Sequence, residues 1–393
     1  MLRLLVARDN VAISGSVIGL VSLLFGWATL KSSRIVSGTS FSLWESGGGA
    51  GPAVVLMLWF FCLALSFWGK RRRPAVILGT AANLVLVISF LFTGLSATKL
   101  LEAEAPFARV SLGVGAWMTL VAAYVVIFAA RQRLAGFPVL KNLVSWMGPV
   151  ILLFLLLGGY FNDISVVQEF LGREERFTQE LLHHVFLVGF SVGVGAVLGV
   201  LLGIWATRSR RSERPIFYIT NIIQTIPSLA LFGLLIAPLS ALSFAFPALR
   251  EIGIRGVGDT PAIIALIIYS LLPIVRNTYV GLRQLDPAVI DAGLGMGMSR
   301  PQVFRRIEAP LAAPLVLEGV RTASVQSVGL AAVAALIGAG GLGWFIFQGL
   351  GQAATDLILL GAIPIIILAL MMDSAMRAIV RLATPKGLSG GNR

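Results

Sequence analysis

Ten stretches of roughly twenty residues, almost free of charge, recur along this chain. Each is long enough to cross the ~30 Å apolar core of a bilayer as a helix. They fall at approximately 11–30, 50–69, 74–98, 110–130, 142–160, 185–206, 215–239, 261–281, 311–337 and 355–376. Lipid offers no hydrogen bonds to a backbone, so such runs are stable in a membrane only as helices that satisfy their own amides. Composition agrees: 57% of residues are apolar and 12% charged, against about a quarter charged in soluble domains. Mean hydropathy is +0.90. The expected fold class is all-α, a polytopic helical membrane protein of about ten transmembrane helices. The net charge of +13 invites a nucleic-acid reading. In a membrane protein it is better read as basic residues gathered on the cytoplasmic side, near lipid headgroups, with no nucleic-acid partner.

The linkers set the expected orientation. Lys70, Arg71, Arg72 and Arg73 form one basic turn, Arg131, Arg133 and Lys141 a second, and Arg208, Arg210, Arg211 and Arg214 a third. With these inside, ten alternating spans place both termini in the cytoplasm together with Arg3, Arg8, Arg377, Arg381 and Lys386. Most of the 31 basic residues then lie inside. The run at 11–30 is expected as a retained span, not a cleaved leader, because no small-residue cleavage pattern ends it. The single cysteine, Cys62, excludes an intrachain disulfide and a cysteine-based metal site.

The two halves differ in texture. Residues 1–160 form a five-span part with almost no polar residue at the span centres. Residues 161–184 are an acidic segment expected outside, with a surface helix at 165–184. Residues 185–393 carry Asn221, Gln224, Thr225, Ser228, Arg321 and Gln326 inside their spans. Polar groups in a membrane usually face the bundle interior or a water-filled path, so these six are the candidate lining of a translocation path. Asn221, Gln224, Thr225 and Ser228 follow i, i+3, i+4, i+7 spacing, one face of a continuous helix. Interhelical hydrogen bonding explains them equally well. Arg321 either lines the path or only neutralises Glu318 one turn away. No repeat of fixed period relates the halves.

The longest soluble-looking stretch of the second half is 285–314, LDPAVIDAGLGMGMSRPQVFRRIEAPLAAP. Asp286 followed by Pro287 is a helix start. Ser299 with Gln302 three residues on is a capping box. Gly293, Gly295 and Gly297 allow a sharp bend between two short helices. Pro310 is expected to stop or kink the second. Such a helix–bend–helix, with Arg305 and Arg306 exposed, suits insertion into a groove on a soluble subunit. The plainer reading is a basic loop resting on lipid phosphates.

The series Asp291, Ala292, Gly297, Phe304, Arg305, Arg306 and Pro310 resembles the EAA loop through which permeases of ATP-binding-cassette importers hold their ATPase. Aspartate stands for the usual glutamate, and Ala309 for the usual leucine before the proline. Five spans with this loop after the third resemble a type I permease core. Residues 223–235, 271–287 and 334–351 narrow the likeness to permeases that import osmoprotectants such as glycine betaine, choline or carnitine. The five N-terminal spans resemble the extension of a long form. The resemblance implies an ATPase dimer inside, a second copy or a shorter permease as partner, and an extracytoplasmic substrate-binding protein. It also implies the bacterial inner membrane as location. A methionine-type or other amino-acid permease is the alternative within the class.

The residues argue the same way without the family. The glycines at 338, 340, 341 and 343 have no lysine after them, so they are not a phosphate-binding P-loop. Glu318 and Arg321 are the ionisable pair expected well inside a span, too few for a carboxylate proton relay. Energy must then come from a partner. No enzyme activity, cofactor or metal is expected. His183 and His184 are adjacent, so they point to different faces and lack a third ligand. A Ser–His pair or H-E-x-x-H cluster for intramembrane hydrolysis is missing. A passive channel leaves the loop unexplained. Trp59, Trp68, Trp117 and Trp344 read as packing or belt residues. Trp344 is the one also placed for a cation.

Overall fold

The computed structural model describes residues 9–33, 36–46, 50–67, 72–102 and 107–384. Trp68, Lys70, Arg71, Arg3, Arg8 and Lys386 lie outside the described residues. Contacts divide the chain into two compact units. One comprises Met1–Gly172 with Gln352–Asp356, the other Arg173–Gly351 with Leu357–Arg393.

The first unit holds α1 (Asn10–Ser22), α2 (Ala50–Ser66), α3 (Arg72–Glu102), α4 (Val114–Arg133) and α5 (Pro138–Leu157). Small residues let these helices touch. A Cβ on Gly15 would lie 2.8 Å from Val126, and one on Gly19 would collide with the Trp59 ring. Asn83 fastens α3 to α5: its amide donates to the Val144 carbonyl at 2.9 Å and accepts from the Gly148 amide at 2.9 Å. Asp9 caps α1 and holds Arg133 at 2.7 Å. Both ends of that pair are mostly out of solvent.

The sequence reading did not anticipate any strand. Three short ones form an antiparallel sheet in the order β2 (Thr39–Phe41), β1 (Ala28–Lys31), β3 (Arg109–Leu112). β1 takes the end of the first expected span and β3 the start of the fourth, while β2 lies between expected spans. α1 has 13 residues and α2 has 17. Among the described residues, eight other helices are long and apolar enough to cross a membrane.

The second unit opens with α6 (Glu174–Arg208), 35 residues and so roughly 50 Å long. The acidic stretch expected as a separate surface helix is split. A short helix spans Ser165–Leu171, and everything from Glu174 on is the first turns of α6. Nothing between Glu174 and Arg208 breaks a helix, whereas Gly172 ends the shorter one.

The seventh expected span, 215–239, is corrected. The backbone breaks at Ile226–Pro227 into α7 (Arg210–Thr225) and α8 (Ser228–Ala245). Proline forces the residue before it out of the helical region, and Ile226 is extended (φ −72°, ψ 126°). α7 is amphipathic with Arg210, Arg211 and Arg214 at its head, and α8 is the apolar helix of spanning length.

α9 (Asp259–Arg283) is the central helix of this unit. Gly195, Gly199 and Gly203 form a stripe on α6 where added Cβ atoms would meet Ser270, Ile274 and Thr278. Small residues at four-residue spacing allow this close approach, which drives helix association in lipid. On its other side Gly319 meets Asn277 and the Pro273 carbonyl. α10 (Pro287–Gly295) and α11 (Ala309–Val333) follow, then a glycine-rich turn, a short helix Gly343–Gly351, and α12 (Thr355–Ala383).

Candidate functional site

The 285–314 stretch folds as two short arms around a bend. The Asp286 carboxylate accepts from the Ala288 amide at 2.9 Å and starts α10. The helix ends at Gly295, with Met296 as its cap. Gly297 takes φ +82°, and no atom lies within 4 Å of where its Cβ would be. The requirement there is for the left-handed backbone, not for space. Gly293 is the opposite case: a Cβ would come 2.6 Å from Ile307 Cδ1, so this glycine lets the two arms touch.

The second arm starts with the Ser299–Gln302 capping box, in which the Ser299 amide donates to Gln302 at 2.8 Å. Pro310 does not stop it. A helical segment runs without interruption from Arg300 to Ile337, with a π-turn at Phe304–Glu308 where the Ala309 amide bonds the Phe304 carbonyl. Proline removes one amide and crowds the carbonyl four residues back. Widening the preceding turn relieves that clash without ending the helix.

Asp291, Ala292, Gly297, Arg305, Arg306 and Pro310 are exposed, and Phe304 is half-buried. Among the described residues no ion pair engages Asp291, Arg305 or Arg306. Their charge is free for another molecule. Two residues that sequence reasoning missed anchor the loop. Glu308 is buried and ion-paired with Arg208, the last residue of α6. The Arg208 guanidinium also lies 5.6 Å from the Phe304 ring centroid. An acid just after two arginines, at the start of an apolar run, was the available signal. A groove of about 500 Å³ opens beside this anchor, lined by Ile204, Arg208, Ile290, Leu294, Arg300 and Phe304 among others.

The membrane-embedded candidates separate into two groups. Gln224 and Gln326 meet at 3.5 Å, and Gln224 donates to the Tyr269 carbonyl at 2.6 Å. The Tyr269 hydroxyl bonds the Ile226 carbonyl at the break. Asn221, Thr225 and Ser228 do not join them. Asn221 and Thr225 are exposed on α7, and Ser228 begins α8 beyond the break. The four-residue face read from the sequence therefore does not exist as one face. Arg321 donates to Glu318 at 2.9 Å and to Asp373 of α12 at 2.7 Å, and Asp373 also pairs with Arg377. Sequence reasoning counted only the first pair. Asp373 and the exposed Arg276 are further ionisable residues within spanning helices.

His183 and His184 do point apart. His183 lies 3.1 Å from Asp259, and buried His184 is 3.1 Å from the Val328 carbonyl.

Two family models match the chain. One, described as binding-protein-dependent transport system inner membrane component, matches residues 195–385. The other, ABC transporter permease YehY, N-terminal domain, matches residues 7–167. The chain is 40% identical over 205 residues to the osmoprotectant import permease protein OsmW of Salmonella typhimurium, covering 52% of this chain and 90% of that protein. It is 38% identical over 207 residues to the glycine betaine/carnitine/choline transport system permease protein OpuCB of Bacillus subtilis, covering 53% and 88%. Among solved structures, a chain of the MetNI methionine ABC transporter aligns at a TM-score of 0.46 and 23% identity, over 53% of this chain and 96% of that one.

Proposed function

Because this chain belongs to the osmoprotectant permease family of ATP-binding-cassette importers, we propose that it carries glycine betaine, choline, carnitine or a similar quaternary amine inward. A permease of this family is a multi-pass inner-membrane subunit that works with an ATPase subunit and a substrate-binding protein; the ATPase subunit, not the permease, hydrolyses ATP. On this reading residues 285–314 dock the ATPase dimer. Closure of the ATPases moves the loop, and the Glu308–Arg208 pair passes that movement to α6. The observation that carries it is the loop itself: a bent pair of arms whose Asp291, Arg305 and Arg306 find no partner ion among the described residues, yet whose base is pinned to a spanning helix.

Gln224, Gln326 and Arg321 line the path, and this chain's own Asn221 and Thr225 on α7 and Ser228 at the head of α8 border it on the side that meets a second permease copy or a shorter partner. Both termini are cytoplasmic. Residues 1–160 are an accessory domain, 161–184 connect it on the outer side, and 185–393 are the transport core. Reconstitution of the permease with its ATPase and binding protein tests this. ATP-dependent uptake of labelled glycine betaine or choline is expected. Uptake of methionine or another amino acid in its place would move the chain to that branch of the family.

A further inference from the structure

α6 has two working ends. Arg208 at one end holds the loop. Arg176 stands near the other, roughly 48 Å away along the helix. There the Arg176 guanidinium carbon sits 4.4 Å from the centroid of the Trp344 ring. Trp344 is half-buried and braced edge-on by Phe345, which also packs against Phe177. The same guanidinium bonds Glu180 Oε1 through Nε and Nη2, both at 2.7 Å. Glu180 is buried, and its other oxygen accepts the Gly341 amide at 2.6 Å. Gly340 and Gly341 have φ of +70° and +75°, and a Cβ on Gly340 would crowd Glu180 Oε2 at 2.9 Å. The glycine-rich turn is thus shaped around this carboxylate. Carboxylate and ring are held from behind by the fold. Arg176, with its side chain 47% exposed, covers them from the front.

An indole face beside a carboxylate is the chemistry that holds an organic cation, most of all a quaternary ammonium, which has no N–H to direct. Here the protein's own cation occupies that place. We propose that Trp344 and Glu180 form a binding site for a quaternary ammonium group, at the end of α6 opposite the loop, and that Arg176 is its internal occupant and shuts it. When Arg176 swings out into solvent, the incoming cation takes its position over the ring. Glu180 keeps its bond to Gly341 and supplies the counter-charge. The proposal deepens the reading of this chain as a quaternary-amine permease and names where such a group first meets it.

The test uses the full-length permease in nanodiscs, with no ATPase or binding protein. Tetramethylammonium and choline are titrated calorimetrically, and 3,3-dimethylbutanol serves as the uncharged isostere of choline. Arg176→Gln is expected to bind both cations at least about fivefold more tightly than wild type, in line with the strength of a partly desolvated cation–π contact. The isostere should show no gain. Adding Trp344→Leu should remove the gain, and Trp344→Phe, which keeps an aromatic face and much of the packing, should remove part of it. Thermal unfolding checks that each variant is folded. Equal cation binding in wild type and Arg176→Gln overturns the proposal. So does a gain that survives Trp344→Leu, or one shared by the isostere. Uptake by the reconstituted importer separates the two claims. Choline uptake with silent Arg176 variants refutes this site alone. Amino-acid uptake alongside the Arg176 effect refutes the substrate reading alone.

Discussion

Gly297→Val perturbs the loop through its backbone alone. The site has φ +82° and open space around the missing Cβ, so valine meets no clash with a neighbour. It meets only the left-handed region, which costs an L-residue about 1–2 kcal/mol, most for a β-branched one. That energy lowers the ratio of bent to unbent loop by a factor of roughly 5–30. If the ATPase binds only the bent form, its apparent affinity falls by up to that factor. Asparagine tolerates this conformation, so Gly297→Asn should stay near wild type. Gly297→Asp shares that tolerance, and any further loss it shows reports the added charge beside Asp291. Gly295 has equally open space but sits in α10 without a positive φ, so Gly295→Ala should bind normally. The assay is titration of the ATPase onto nanodisc-held permease, followed by ATPase stimulation by loaded binding protein. Wild-type affinity for Gly297→Val, or an equal loss for Gly297→Asn, would refute the argument that the bend is the docking element.

Further outcomes follow from the charge pairs and the topology. Glu308→Gln should lower ATPase stimulation while leaving ATPase binding within about fivefold, because a pair whose arginine is half-exposed is worth roughly 1 kcal/mol or less. Arg208→Gln added to it should cause little additional loss, as a double-mutant cycle reads it. Arg321→Gln leaves Glu318 and Asp373 without their shared cation; uptake should fall at least tenfold with ATPase binding unchanged, and Arg321→Lys should restore part of it. With Cys62 replaced by alanine, a cysteine at Ser209 should be protected from impermeant thiol reagents in intact cells. One at Gln168 should react, and the reverse pattern refutes cytoplasmic termini.

What the sequence disclosed depended on how local the determinant was. The apolar runs mark most spanning helices because burial in lipid acts residue by residue. The caps at Asp286 and Ser299 and the bend at Gly297 were legible for the same reason, since each is settled within four residues. The face of Asn221, Gln224, Thr225 and Ser228 failed because its spacing assumed one helix across Pro227. The effect of that proline on Ile226 outweighs the periodicity. Arg208 and Glu308 are 100 residues apart, and Arg321 and Asp373 are 52 apart. No spacing rule connects them, although each acid near a basic span end was a hint. The strands were hidden because Ala28–Lys31 and Arg109–Leu112 continue the apolar texture of neighbouring helices, and their pairing is non-local.

The most direct test of the central claim is uptake of labelled glycine betaine into proteoliposomes holding the permease, its ATPase and its binding protein. The account predicts accumulation that requires ATP and falls measurably in Gly297→Val but not in Gly297→Asn. Accumulation that proceeds without ATP, or that is equal in wild type and Gly297→Val, would contradict it.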